Sequence, residues 1–464
     1  MKVLNALLVP VISCSELASV DLMSIGGTGT NITEVTEIEV DGVSYCYVEG
    51  YLPPQAKWML RLPIATWTQR YLQAGCSDQY ENGHFALRTT DMNGGTDGTF
   101  ALDKEAFIDY AYLAVHNMAE LSKALIKKYY GQEQQYAYFN GCSDGGREAV
   151  MTAMRYPNDF SGIIAGAPAI NLDENEEPIF NPSRIPILHD AVITACDALD
   201  GVEDGLLTNP RICNFDPRTL QCADDVDNYT CLTAAETQTA WIGVGIPATD
   251  GGSVASESLA LSALRYLIFK NSPGANYMLA DFVFANSTID LLRPHHPFLD
   301  AVSPDLSPFH EAGGKLILWH GWADQHISPH TTIQYHEKLI DNMGADVVED
   351  FNRMYIFPGV WHCGDGEGMA SFDLLIPMLD WVESGLAPHE IMTSTEVVGS
   401  ASASSNTVYR TRPAYPYPSV AKYTGSGDVN DAVNWEEGDA LYSNLTAYWH
   451  GVDFFDVFNP TMDP

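Results

Sequence analysis

Residues Tyr136–Pro157 read YAYFNGCSDGGREAVMTAMRYP. Tyr136, Tyr138 and Phe139 mark a short buried strand, and Arg147–Tyr156 carries Ala and Met on one face of a helix. Between them, Gly141-Cys142-Ser143-Asp144-Gly145 fits G-x-S-x-G at a strand–turn–helix junction. Such a turn holds a nucleophilic serine exposed on a strained backbone, and only small residues fit at its flanks. An ordinary glycine-rich turn has the same composition. The nucleophile reading therefore needs a histidine, an acid and a reason for Cys142 from elsewhere in the chain.

Outward from this turn, strands and helices alternate. Lys57–Pro63 (KWMLRLP) and Arg70–Gly75 (RYLQAG) read as strands. Leu102–Gly131 contains a long amphipathic helix with Ala114, Met118, Leu121, Leu125 and Ile126 on one face. Ser161–Ala169 (SGIIAGAPA) is another buried strand. This βαβ order predicts a mostly parallel sheet. Near Asn171 the pattern breaks into an acidic, turn-rich segment, and to about Ala301 it shows interrupted helices and four cysteines. Alternation resumes at Lys315–Pro329 and Arg353–Gly368, followed by a helix in SFDLLIPMLDWVESG. An insertion that leaves a sheet and returns to it describes a lid. The expected organisation is a core over 1–170 and 301–464 with a lid domain over 171–300.

Asp324 follows the apolar run LILW in His320-Gly321-Trp322-Ala323-Asp324, and His362 follows MYIFPGV. Both stand just past strand ends, where an open α/β sheet builds its sites. A serine hydroxyl is a weak nucleophile until a histidine takes its proton, and that histidine needs a carboxylate to fix its tautomer. The chain order Ser143, Asp324, His362 is that of an α/β-hydrolase. An Asp after a strand also serves as a cap or turn residue, and His320, His326 and His330 are nearby competitors. His362 is followed by Cys363. If Ser143 and His362 are within hydrogen-bond reach, Cys142 and Cys363 are spatial neighbours, and a disulfide would staple the two loops. Closing so long a loop is worth roughly 4–5 kcal/mol in the chain-entropy model. The alternative is that Cys142 is a small buried hydrophobe.

With 464 residues the chain exceeds one simple core. Its formal charge of −38 argues against nucleic acid or an anionic membrane as partner. No apolar run is long enough to span a bilayer. The opening MKVLNALLVPVISCSELA resembles a weak signal peptide or, alternatively, the first segment of the mature chain. Nine cysteines form no C-x-x-C pair, which disfavours a zinc ribbon or thioredoxin-type site, and an odd count leaves at least one thiol without an intrachain partner. N-x-S/T sequons at Asn31, Asn228, Asn286 and Asn444, together with the cysteines, point to a secreted, oxidised protein.

GCSDGGREA, HGWADQHISP and PGVWHCGDGEG strongly resemble the Cys-Ser…Asp…His-Cys pattern of the tannase/feruloyl esterase family. SYCYVEGYLPP, TTDMNGGTDGTFA, RYPNDFSGIIAGAPA and RPAYPYPSVAKYTGSGD extend the resemblance over nearly the whole chain. It implies an α/β-hydrolase fold, the triad Ser143, Asp324 and His362, a Cys142–Cys363 disulfide, and a lid that carries substrate selectivity. It implies that Cys14 is the first cysteine of the mature chain; the sequence leaves the pairing among Cys14, Cys46 and Cys76 open, and the expectation taken is Cys14–Cys46 with Cys76 as the free thiol. The N–H groups of Asp144, Gly75 and Cys76 are the oxyanion-hole candidates.

Within the insertion, CDALDGVEDGLLTNPRIC places Asp197, Asp200 and Asp204 in D-x-x-D-G-x-x-D-G. Calcium takes hard oxygen ligands in such glycine-punctuated loops, though the spacing is not that of an EF-hand. An acidic surface loop fits the residues equally. The resemblance favours a structural Ca²⁺ completed by the carbonyls of Val202 and Leu206, with Cys196–Cys213 and Cys222–Cys231 stapling the loop and its neighbour. The function it implies is a secreted serine carboxylesterase acting on small esters of aromatic acids, most of all hydroxycinnamates. A tannase or a hydrolase of terephthalate monoesters shares the triad, and a catalytically retired hydrolase fold used for binding is the rival of another class.

Overall fold

The computed structural model describes residues 8–54, 56–75, 86–89, 97–170, 184–223, 230–239, 255–283, 285–395 and 410–440. Its strands are β1 (Asn31–Val40), β2 (Val43–Leu52), β3 (Ala56–Pro63), β4 (Arg70–Ala74), β5 (Ala86–Thr89), β6 (Tyr136–Cys142), β7 (Gly162–Gly166), β8 (Lys315–Gly321) and β9 (Asn352–Phe357). Five short ones follow: β10 (Ser371–Phe372), β11 (Ile391–Thr395), β12 (Arg410–Ala414), β13 (Val420–Tyr423) and β14 (Trp435–Gly438).

The centre is a parallel five-stranded sheet in the order β4-β6-β7-β8-β9. Every residue of β7 is buried, as expected of a strand covered on both faces. The helix Ala114–Tyr130 buries its predicted face of Ala114, Met118, Leu121, Leu125 and Ile126. A π turn at Asp109–Leu113 joins it to a shorter helix, Lys104–Ile108. Between β7 and β8 the chain makes its long excursion. Leu264, Leu267, Ile268, Phe298 and Leu299 of that excursion pack on Phe107, Tyr110 and Ala111.

Two parts of the expectation change. Lys57–Pro63 is not in the parallel sheet: it lies in a separate antiparallel sheet, β1-β2-β3-β5. In the segment read as a helix from Ser371, the first two residues instead pair with β11 in a small sheet, and the helix begins at Leu375.

Four disulfides are present: Cys14–Cys46, Cys142–Cys363, Cys196–Cys213 and Cys222–Cys231. Cys76 lies outside the described residues. The Cys142–Cys363 bond joins residues 221 apart in sequence.

The glycines around Ser143 are contact requirements. A Cβ at Gly141 would strike the Gly145 carbonyl, and one at Gly146 would strike the Gly166 carbonyl in β7. Helix and sheet therefore meet backbone to backbone. Gly146→Ala is expected to destabilise the fold by roughly 1–3 kcal/mol, because a backbone contact cannot swing aside as a side chain can. An unchanged unfolding midpoint would refute this. Replacing Cys142 and Cys363 together by Ala should remove up to roughly 4–5 kcal/mol. Peptide mapping of the non-reduced wild type should recover both cysteines in one fragment.

Candidate active site

In the parallel sheet the carboxyl ends of the strands share one edge, and Ser143, Asp324 and His362 stand on the turns leaving β6, β8 and β9. Ser143 has φ 63° and ψ −122°, in the left-handed half of the map that a residue with a side chain rarely enters. Its neighbours hold it there. Its N–H donates to the Gly166 carbonyl (3.0 Å), and its own carbonyl accepts from Arg147 N (3.0 Å) and Ala169 N (3.1 Å). Strain persists only where the surroundings over-determine it, as they do here.

Asp324 has no exposed side-chain surface, yet every lone pair is used. Oδ1 accepts the N–H groups of His326 (2.8 Å) and Ile327 (2.9 Å). Oδ2 lies 2.8 Å from His362 Nδ1 and 3.1 Å from His320 Nε2. Burial alone pushes the carboxyl up, but the hydrogen bonds from the two histidines outweigh it and hold Asp324 well below the usual carboxylate range.

These bonds separate the competing histidines. The His320 ring is wholly buried and both nitrogens are engaged, Nδ1 with Thr332 Oγ1 (2.8 Å) and Nε2 with Asp324 and the Ile327 carbonyl (3.0 Å). His330 packs edge-on to Trp322, where burial lowers its basicity. His326 lies edge-on to the His362 ring at 5.0 Å. Only His362 combines a bond to Asp324 with an Nε2 that has no partner among the described residues. Its backbone N–H donates to Gln325 Oε1 (3.1 Å), and the adjoining disulfide brings Cys363 Cα within 5.8 Å of Cys142 Cα. The resting structure has no hydrogen bond between Ser143 and His362. Such bonds are often long before substrate binds.

The oxyanion-hole expectation is corrected at one position. The Gly75 N–H donates to the Asn140 carbonyl (2.9 Å), continuing the β4–β6 ladder, so it is not available to a ligand. Cys76 lies outside the described residues. Asp144 opens the helix Asp144–Arg155, where an N–H has no intrahelical acceptor.

Sequence reasoning missed Arg147. Its guanidinium is completely buried: Nε donates to Asp144 Oδ1 (2.6 Å), Nη1 to the carbonyls of Ala111 (3.0 Å) and Leu299 (3.3 Å), and Nη2 to that of Tyr110 (3.2 Å). The π turn thus presents Tyr110 and Ala111 carbonyls to the cation that steadies the Ser143 turn. The available signal was an arginine, beside Glu148, in a helix turn otherwise built from Gly145, Gly146, Ala149 and Val150.

In the acidic loop, Asp197 accepts from Gly205 N (3.0 Å), Asp200 from Thr208 N (2.8 Å) and Asp204 from Leu206 N (3.2 Å). Burial pushes the Asp200 carboxyl up, and the Asp204 charge adds to this. A hard cation would relieve both, so the oxygen donors suit calcium in kind. Asp204 also forms a buried ion pair with Arg412. Among the described residues, no three acidic, histidine or cysteine side chains are gathered as a metal cluster. The loop is not remote from the site, because the Leu206 side chain lies against Gly359, on the turn that carries His362.

The chain resembles known proteins along most of its length. A mono(2-hydroxyethyl) terephthalate hydrolase of Piscinibacter sakaiensis is 28% identical, covering 84% of this chain and 82% of that protein. A probable feruloyl esterase of Arthroderma benhamiae is 32% identical, covering 74% and 72%. Among solved structures, feruloyl esterase B of Aspergillus oryzae superposes with a TM-score of 0.75 at 22% identity, covering 92% of this chain and all of that one. The tannin acyl hydrolase of Aspergillus niger gives 0.66 at 20%, covering 98% and 99%. These likenesses establish an α/β-hydrolase fold. The family model described as "Tannase and feruloyl esterase" matches residues 39–246 and 237–437, and the chain belongs to that family.

Proposed function

We propose that the protein is a secreted serine carboxylesterase that hydrolyses esters of aromatic acids, with hydroxycinnamates such as ferulate as its class. The observation that carries this reading is the Asp324–His362 bond, with His362 locked through Cys363 to the residue before Ser143. The names of the relatives support the broader class of aromatic-acid esters, and the feruloyl esterases among them favour hydroxycinnamates.

Ser143 Oγ attacks the ester carbonyl while His362 Nε2 takes its proton. Asp324 holds the ring by Nδ1 and stabilises the imidazolium. The developing oxyanion turns to the Asp144 N–H and a second donor. The tetrahedral intermediate collapses, His362 passes the proton to the departing alcohol, and an acyl-Ser143 remains. Water, deprotonated by His362, then releases the acid. The insertion between β7 and β8 serves as the lid that selects the acyl group. Asp197, Asp200 and Asp204, with the Val202 and Leu206 carbonyls, would hold one Ca²⁺, whose charge would brace the loop structurally. The disulfides and the exposed Asn31 suit a glycosylated, extracellular protein.

Ser143→Ala should lower turnover by at least about 10⁴-fold without moving the unfolding midpoint. Retained activity would remove Ser143 from the mechanism. Absence of labelling of the wild type by a fluorophosphonate would favour a retired, binding fold. Rates on methyl ferulate, propyl gallate and mono(2-hydroxyethyl) terephthalate should be fastest for ferulate; a faster rate on either other ester reassigns the acyl class. Asp324, with its lowered carboxyl, contributes stability above the ordinary aspartate range of about pH 4, lost as pH falls through the lower folded value. The stability gap to Asp324→Asn should therefore narrow only below about pH 4 in denaturant titrations. Chelation should lower the unfolding temperature by a few degrees, and Asp200→Ala should mimic it. Calcium-free dialysed protein with a melting curve indifferent to chelator would leave an acidic loop and no metal.

A further inference from the structure

β8 reads Lys-Leu-Ile-Leu-Trp-His-Gly, and its apolar side chains Leu316, Ile317, Leu318 and Trp319 are all buried. His320 sits among them with no exposed surface. A buried imidazole is costly unless both nitrogens are satisfied, and an aliphatic residue would fill a sheet interior more cheaply. Packing therefore does not account for His320, and its hydrogen bonds do.

Nε2 faces two oxygens and no donor: Asp324 Oδ2 at 3.1 Å and the Ile327 carbonyl at 3.0 Å. It must carry a proton. Nδ1 lies 2.8 Å from the Thr332 hydroxyl, which can donate to it. Thr332 is fully buried on the helix Pro329–Met343, so that hydroxyl has no water to turn to. Oδ2 thus holds two donors, His362 and His320, one for each lone pair. Oδ1 holds two more from the backbone. Remove His320 and one lone pair of the oxygen that holds His362 is orphaned. The carboxylate is then free to tilt toward another donor.

We propose that His320 is a positioning residue, whose Nε2–H fixes Asp324 Oδ2 on His362 while Thr332 sets which His320 nitrogen carries the proton. It acts through Asp324 and touches no reacting atom. This rests on the triad reading above.

The experiment measures kcat and KM on methyl ferulate, or on whichever ester the panel finds fastest. The variants are His320→Phe, His320→Gln, Thr332→Val and Asp324→Asn. The low-field proton resonance of His362 Nδ1–H is followed in each. His320→Phe keeps the bulk and loses the donor, and should lower kcat on the order of ten- to a hundredfold with KM within about threefold. The resonance should shift or broaden. His320→Gln, whose amide can donate to Oδ2, should recover most of the rate. Thr332→Val should lower kcat several-fold and disturb the same resonance, and it decides the matter if His320→Phe does not fold. A folded His320→Phe with wild-type kcat and an unmoved resonance overturns the inference. So does an equal loss in Phe and Gln variants that tracks their unfolding midpoints. Asp324→Asn separates the two levels. If it keeps its rate, the triad reading fails. If it loses its rate while the His320 and Thr332 variants keep theirs, only the role of His320 fails.

Discussion

Cys142 ends β6 and Cys363 lies on the turn after β9, strands that are not neighbours. β7 and β8 lie between β6 and β9, so at the sheet the two chains run roughly 14 Å apart, three steps of about 4.8 Å. Yet the two cysteine Cα atoms are 5.8 Å apart. Cys142 keeps its register with Gly166 of β7, so the turn after β9 must reach back across the ends of the middle strands, and the covalent bond holds it there. Ser143 and His362 ride on the two turns it joins. The left-handed backbone at Ser143, Cys363 and Asp365 is the local cost of that convergence.

Beneath the bond the turns of β8 and β9 are knitted by backbone. Trp322 N donates to Phe357 O (2.9 Å) and Ala323 N to Val360 O (3.0 Å), and Gly321 leaves room for the Val360 carbonyl. Asp324 is a charge placed inside this framework, and its four donors come from His320, His326, Ile327 and His362. Arg147 does the matching work on the other side, where a buried cation ties the Ser143 helix to the π turn and to Leu299. Neither group can relax toward water, so the framework on which Ser143 and His362 stand is set before any ligand arrives.

The elements legible in the sequence were those whose pattern is local. The glycine spacing around Ser143 reports backbone contact within one turn, and the runs before Asp324 and His362 are buried strands of a parallel sheet. The Cys-Ser and His-Cys pairs made a long-range contact readable because two local motifs each carried half of it. Pairing direction was not legible: Lys57–Pro63 reads as a strand whichever sheet it joins. Nor was the use of a single N–H. Gly75 is a glycine at a strand end in either case, and only the register with Asn140 shows its donor occupied. His320 was visible as a rival to His362, but its engagement on both nitrogens depends on how the turn after β8 and the helix that follows fold back to bring Ile327 and Thr332 to the ring.

The four disulfides differ in reach. Cys222–Cys231 spans 9 residues and Cys196–Cys213 spans 17, while Cys142–Cys363 spans 221. During synthesis Cys142 emerges first among these six and its partner last. Its thiol has to wait while four other cysteines, all nearer in the chain, appear and close their own short loops, whose smaller closure entropy favours them. A nascent chain lacks His362 for as long as it lacks Cys363. The Asp324–His362 pair is therefore withheld until the whole insertion between β7 and β8 has been made.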